Sequence, residues 1–240
     1  MLSIVIPTLN EEKTIKNTLE SLKKLTDCNY EIIISDGKSK DKTVEIAKRC
    51  DAQTIVYNGT VRQTIGGGRN LGASIASGEF LVFLDADVTI PDINKFFKKT
   101  LSLFKENEKL VGLIVRQNVS PEVETFVDKF FFGIVNYVYL FWNNIVKFGG
   151  AGGEFQMIKT SVFRELGGFN EKLAAGEDND LFQRLARKGE TRIEMSLRIL
   201  HTGRRAHKTG WSKLLFSWTI NWFSVLIFNC STSEIWKEVR

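Results

Sequence analysis

The chain has 240 residues, 43% of them hydrophobic and 25% charged, which excludes a disordered polyelectrolyte and suffices for a core without covalent staples. Its three cysteines, Cys28, Cys50 and Cys230, are odd in number and form no C-x-x-C pair, so neither a disulfide framework nor a zinc knuckle is indicated. A net charge of +5 suits an anionic small substrate or an anionic membrane surface, and no nucleic-acid-binding pattern accompanies it.

In chain order, the apolar run 2–6 predicts a short buried strand that stops at Pro7, too short for the core of a signal peptide. Ile15, Leu19 and Leu22 share one face of a helix expected over 11–25. Strands follow at 30–35, 53–57 and 79–84, separated by helices at 42–50 and 68–76. This alternation implies an α/β fold with a mainly parallel, doubly wound sheet, whose ligands bind outside the carboxyl ends of the strands. The second half predicts a strand at 109–116, a long aromatic helix over 122–148, a flexible glycine break at 149–153, a strand at 155–158, helices at 160–166 and 178–188, and a strand at 192–200. The simplest organisation is one unit of residues 1–210, with a nucleotide-binding half to about 116 and an acceptor half beyond it, followed by a C-terminal amphipathic segment, 211–240.

Polar residues collect at the predicted strand ends. Asp85-Ala86-Asp87 follows the run Phe80-Leu81-Val82-Phe83-Leu84, so two carboxylates at i and i+2 can approach one hard cation and bridge it to phosphate oxygens; a solvated turn is the structural alternative. Asp36 ends the second strand, where it could accept an N–H from a nucleobase, while Asp41 caps the next helix. Gly66-Gly67-Gly68-Arg69 precedes a helix and reads equally as an anion-binding loop or a plain flexible one. Glu177, Asp178 and Asp180 begin a helix, either as capping acids or with one of them acting as a general base. His201, beside Arg204 and Arg205, could complete a metal shell or be an ordinary packed histidine.

The ordered set resembles the inverting glycosyltransferases of family 2, which have the GT-A fold, a Rossmann-like, mainly parallel sheet flanked by helices. The segments that carry the resemblance are Ile4-Val5-Ile6-Pro7-Thr8-Leu9-Asn10-Glu11, Asp36-Gly37-x-Ser39-x-Asp41-x-Thr43, Arg69-Asn70-x-Gly72, Asp85-Ala86-Asp87, Gly167-Gly168-Phe169 and Glu177-Asp178-x-Asp180-Leu181. It implies a hexosyltransferase that uses a UDP- or GDP-sugar with Mn2+ or Mg2+. Pro7, Thr8, Asn10, Glu11, Asp36, Gly68, Arg69, Asp85 and Ala86 would then form the donor pocket. Arg204 or Arg205 would meet the diphosphate, Asp85, Asp87 and His201 would hold the metal, and Asp178 would be the catalytic base. Gly37 replaces the second acid of the family's second motif, and His201-Thr202-Gly203-Arg204-Arg205 is not the Gln-x-x-Arg-Trp element of processive synthases, which favours single addition.

Two aromatic stretches, 130–142 and 211–228, stand apart. In the second, Lys213, Ser217, Asn221 and Ser224 form one narrow polar stripe on a helix whose apolar part, about 22 Å long, falls short of a bilayer's roughly 30 Å. An interfacial helix on the cytoplasmic face of a membrane, serving a lipid-linked or glycan acceptor, competes with ordinary core packing. A nucleotidyltransferase would need a basic glycine-rich loop after the first strand, where Pro7-Thr8-Leu9-Asn10-Glu11 stands instead. A non-catalytic glycan-binding protein would not need Asp87 and Asp178.

Overall fold

The computed structural model describes residues 1–228 and 230–232; the rest of the C-terminal segment proposed from sequence lies outside the described residues. Strands β1 (Leu2–Thr8), β2 (Tyr30–Asp36), β3 (Gln53–Val56) and β4 (Phe80–Leu84) alternate with helices α1 (Ile15–Leu22), α2 (Thr43–Arg49) and α3 (Ile65–Ser74). Then come α4 (Ile93–Glu106), β5 (Leu110–Val119), α5 (Phe126–Leu140) with a π-helical turn (Phe141–Ile145), β6 (Phe155–Lys159), α6 (Thr160–Glu165) and α7 (Glu177–Ala186). Strand β7 (Glu190–His201), α8 (Arg204–Thr209) and α9 (Trp211–Phe228) complete the described elements.

All seven strands join one sheet in the order β3-β2-β1-β4-β6-β5-β7. The α/β expectation holds: every pairing is parallel except those of β6, which runs against β4 and β5 and sets Leu84 opposite Phe155. The central strands are apolar on both faces because helices cover both faces. Ile15, Leu19, Phe96 and Phe97 pack on one side, and Ala73, Phe163, Leu181 and Phe182 on the other.

Helix α4 has no counterpart in the sequence reading, although Ile93, Phe96, Phe97, Thr100 and Phe104 form its buried face. Gly66, Gly67 and Gly68 do not form a loop before a helix; they are the first turn of α3, capped by Thr64, whose hydroxyl accepts the Gly67 N–H at 3.0 Å. Glycine is a poor helix former, but close packing decides here: a Cβ on Gly72 would lie 2.4 Å from Val5 Cγ1, so α3 rests directly on β1. The glycine break before β6 is not a flexible one either. Gly149 sits at φ +85°, and a Cβ there would lie 2.2 Å from the Phe182 carbonyl oxygen.

Helix α9 matches the expected bounds, but its polar stripe is split. Lys213 is exposed while Asn221 and Ser224 are buried alongside Trp211, Leu214 and Val225, and Phe216, Phe223 and Ile227 are exposed. Asn221 Oδ1 accepts from the Thr232 N–H and hydroxyl, each at 3.1 Å, so this part of the stripe is spent against the chain itself.

Candidate active site

The carboxyl ends of β1 and β4, the N-terminus of α7, the glycine segment before β6, and α8 enclose a cavity of about 650 Å3, with α5 and α9 as its far wall. Pro7, Thr8, Glu11, Gly68, Arg69, Asp85, Ala86, Asp87, Asp178, His201, Arg204 and Arg205 all line it. Asn10 and Asp36 do not.

Asp36 is fully buried beneath the cavity. Its Oδ2 accepts from Thr8 Oγ1 (2.8 Å) and Ser39 Oγ (2.6 Å), and its Oδ1 from the Ser39 N–H (2.8 Å). The carboxylate therefore ties the β1 and β2 loops together and is not presented to a nucleobase. Asn10 does similar work at φ 57°: its N–H donates to Ser39 Oγ and its Oδ1 accepts the Lys40 N–H.

From sequence, Arg69 ends a segment that reads equally as an anion-binding or a plain flexible loop. The residue is instead 2% exposed and surrounded by acids. Its Nη1 donates to Asp178 Oδ1 (2.8 Å) and Glu177 Oε1 (3.1 Å), and its Nη2 to the Gly153 carbonyl (3.0 Å) and Asp85 Oδ1 (3.4 Å). The guanidinium also lies 5.2 Å above the Phe169 ring. A fixed fork of donors suits this arrangement, which joins α3, α7, the β4 end and the glycine segment at one point. Asp178 Oδ1 takes a further bond from Gln156 Nε2 on β6, at 2.5 Å.

Asp87 is held by the Thr202 hydroxyl and lies 3.4 Å from Arg204 Nε. Arg204 grips Glu11 with both terminal nitrogens, at 2.7 and 2.8 Å, so it bridges the β1 and β4 ends. His201 is buried; its Nδ1 accepts the Gly203 N–H at 3.1 Å, and its Nε2 has no partner. Burial holds the ring below the usual histidine range, so it is neutral with its proton on Nε2. The ring could ligate a cation through Nε2 only after moving that proton. Among the described residues no three Asp, Glu, His or Cys side chains are gathered as a cation-binding group, and Asp87 is engaged by Arg204 and Thr202.

The donor chemistry nevertheless fits a hard divalent ion. Burial, and then the neighbouring charges of Glu154 and Asp87, push Asp85 up to about 7 against the pull of Arg69. Burial, with the charges of Asp178 and Asp87, pushes Glu154 up to about 7. Burial and Asp178 likewise raise Glu177. The recess holds more carboxylate than its arginines balance. Glu154 and Gln156 were not legible as site residues, since only the antiparallel register of β6 brings Glu154 beside Asp85, whose N–H donates to its carbonyl at 3.2 Å. The available signal was an acid between a glycine run and an apolar strand.

This crowding has a measurable consequence. Asp85 and Glu154 keep their protons to about pH 7 when folded, but only to about pH 4 when unfolded. These carboxyls, with Glu177, bind more protons folded than unfolded and outnumber His201, whose lowered value works the other way, so stability falls as pH rises through that window. Asp128 does not mask this: hydrogen bonds from His207, Thr125 and Trp211 outweigh its burial and hold it near 2, so its contribution is complete above about pH 4 and is lost only as pH falls towards 2. Urea midpoints without divalent metal are expected to be higher at about pH 5 than at about pH 8. Equal midpoints would contradict the charge excess.

The comparisons with known proteins agree with this fold. A mannosyltransferase from Pyrobaculum calidifontis, solved in complex with GDP-Man and Mn2+, superposes with a TM-score of 0.73 at 16% identity, over 100% of this chain and 65% of that one. Glucosyl-3-phosphoglycerate synthase from Mycobacterium tuberculosis, solved with Mn2+, UDP and glucosyl-3-phosphoglycerate, superposes with a TM-score of 0.62 at 19% identity, over 99% of this chain and 81% of that one. At these identities the likeness establishes the fold alone. In sequence, a UDP-Glc:alpha-D-GlcNAc-diphosphoundecaprenol beta-1,3-glucosyltransferase of Escherichia coli is 28% identical over 135 residues, covering 52% of this chain and 53% of that protein. A dolichyl N-acetyl-alpha-D-glucosaminyl phosphate 3-beta-D-2,3-diacetamido-2,3-dideoxy-beta-D-glucuronosyltransferase of Methanococcus voltae is 33% identical over 138 residues, covering 51% of this chain and 42% of that protein. The chain thus spans about half the length of these relatives. The model described as Glycosyl transferase family 2 matches residues 3–167, from β1 through α6 and so across the strand ends that carry Thr8 and Asp85 and the helix α3 that carries Arg69; the chain belongs to that family.

Proposed function

We propose that this chain is a metal-dependent, inverting glycosyltransferase that moves a sugar from a nucleotide-diphospho-sugar to an acceptor hydroxyl or phosphate. The observation that carries the reading is Asp178, fixed at the N-terminus of α7 and lining the same cavity as the Asp85-Ala86-Asp87 turn. Arg69 and Gln156 both donate to its Oδ1, which leaves Oδ2 to take a proton. In a single displacement, Oδ2 removes the acceptor proton while the acceptor oxygen attacks the anomeric carbon. The bond from that carbon to the diphosphate breaks on the opposite side, and the configuration inverts. Pro7, Thr8, Gly68 and Ala86 would floor the donor site. Arg205, and Arg204 once released from Glu11, would face the diphosphate. A divalent ion held by Asp85 and Asp87 would neutralise charge on the departing diphosphate; His201 would join them only in its other tautomer. On this reading residues to about 116 serve the donor, those from about 117 to 210 the acceptor, and those from 211 the membrane side.

Two further observations support a lipid-linked acceptor and a place on the cytoplasmic membrane face. Both relatives named above carry lipid-linked acceptors in their names, and Phe132, Val135, Leu214 and Trp218 make the far wall of the cavity apolar. A thermal-shift panel of UDP-, GDP- and dTDP-sugars with Mn2+ or Mg2+ tests the core of the proposal. A donor at a hundred times its dissociation constant stabilises by about 2.7 kcal/mol, and that shift is expected with one nucleotide and only with metal. No metal-dependent shift with any of them would remove the reading.

A further inference from the structure

Helix α5 and its π-helical turn carry Phe126, Phe130, Ile134, Tyr137, Phe141 and Ile145 on one outward stripe, with exposures of 46–82%. Helix α9 carries Phe216, Ile220, Phe223 and Ile227 on another, at 37–68%. Spacings of three and four residues put each set on a single helical face. The two helices lie side by side in the same direction: Phe131 stacks on Trp211 at their beginnings (4.9 Å), and Trp142 on Trp222 near their ends (4.8 Å). Asp128 of α5, buried, locks the pairing through His207 Nε2 (2.7 Å) and Trp211 Nε1 (2.8 Å). An apolar surface of this extent, fixed and facing water, marks an interaction face.

The chemistry of that face selects its occupant. The exposed charges on α5 and α9 are lysines, Lys129 and Lys213, since the acid of α5 is the buried Asp128. Lys208 on α8 and Lys147 just past the π-helical turn are exposed as well; Lys129 and Lys147 also pair with Glu124 (3.4 Å) and Glu190 (3.7 Å). Aromatic and aliphatic stripes edged by lysine match the boundary between the headgroups and acyl chains of an anionic leaflet. Among the described residues no helix is long and apolar enough to cross a membrane, so these helices would lie in its plane. The inner sides of the same pair, through Phe132 and Tyr139 on α5 and Trp218 and Trp222 on α9, line the cavity that holds Asp178.

We infer that α5 and α9 seat the chain flat on an anionic phospholipid bilayer, and that the cavity opens between them towards the acyl chains, so that a lipid-linked acceptor enters sideways without leaving the bilayer. The inference rests on the transferase reading for what enters, but not for the docking itself. The test uses vesicles of phosphatidylcholine with and without phosphatidylglycerol. The wild-type chain is expected to cosediment with the anionic vesicles. Phe126→Ser with Phe130→Ser, or Phe216→Ser with Ile227→Ser, is expected to weaken that binding more than about tenfold, and Lys129→Glu with Lys213→Glu to reduce it at low salt. None of these positions lines the cavity, so the donor-induced thermal shift should be unchanged in all three variants. With brominated phosphatidylcholine in anionic vesicles, tryptophan fluorescence should be quenched, and Trp142→Phe with Trp222→Phe should lose most of the quenching.

Vesicle binding that ignores the serine pairs overturns the docking face, and unchanged quenching in the tryptophan variant overturns the sideways opening. A concentration-dependent dimer that the serine pairs dissolve, seen by light scattering, assigns the face to a second copy and likewise overturns the inference. No vesicle binding alongside an intact donor shift rejects this inference alone, whereas a missing donor shift with intact vesicle binding rejects the transferase reading alone.

Discussion

Asp178→Asn is expected to lower sugar transfer by about 10²–10⁴-fold while leaving the donor-induced thermal shift in place. The amide is isosteric, and its oxygen can still accept from Arg69 Nη1 and Gln156 Nε2, which bond to Asp178 Oδ1. Glu177 and Asp85 remain to balance the arginine. What disappears is the lone pair on the second oxygen that would take the acceptor proton. The loss should therefore fall on kcat, with the donor KM little changed. Full activity in this variant would move the base elsewhere, and Glu154, on the same wall and near neutrality in its proton affinity, would be the next residue to replace.

The second large effect is on stability. Arg69→Leu would leave Asp85, Glu177 and Asp178 around a buried gap with no cation among them. Removing one partner of a buried ion pair costs about 3–5 kcal/mol, read as a drop in the urea midpoint. The stranded carboxylates would then need protons to stay folded, so the variant should recover stability as pH falls, more steeply than the wild type. Arg69→Leu combined with Glu177→Gln should be less damaged than the two single losses added together. A change below 1 kcal/mol in Arg69→Leu, by contrast, would mean that the four elements joined at this residue are held by apolar packing alone.

Much of the cavity lining at the ends of β1 and β4 was legible because its information is local. An apolar strand followed by Asp85-Ala86-Asp87, or by Pro7-Thr8, declares both its burial and the end at which polar groups can gather. What was not legible depended on partners far along the chain. Arg69 meets acids more than a hundred positions away, a pairing that no periodicity reports. Asp36 looked available because its local run ends in a turn, but Thr8 and Ser39 had already taken its oxygens. The glycines at the start of α3 read as a loop because glycine disfavours helices, and the packing that seats this helix, Gly72 against Val5 and Gly66 against Phe169, involves distant partners. Helix α9 kept its expected length, but the C-terminal part of its polar stripe turned inward, where Thr232 supplies Asn221 with partners it would otherwise have sought in water.

The reversed direction of β6 has one more implication. Thr8 and Asp85 sit where their strands leave the sheet, whereas Gly153 and Glu154 sit where β6 enters it at the same edge, with Glu154 beside Asp85. These two parts of the cavity lining are thus joined covalently only through the long excursion of α4, β5 and α5. Substitutions along that excursion can reshape the wall built from β6 while the turns at the ends of β1 and β4 keep their register; on the proposed reading, one lineage could change its acceptor without relearning how to hold its donor.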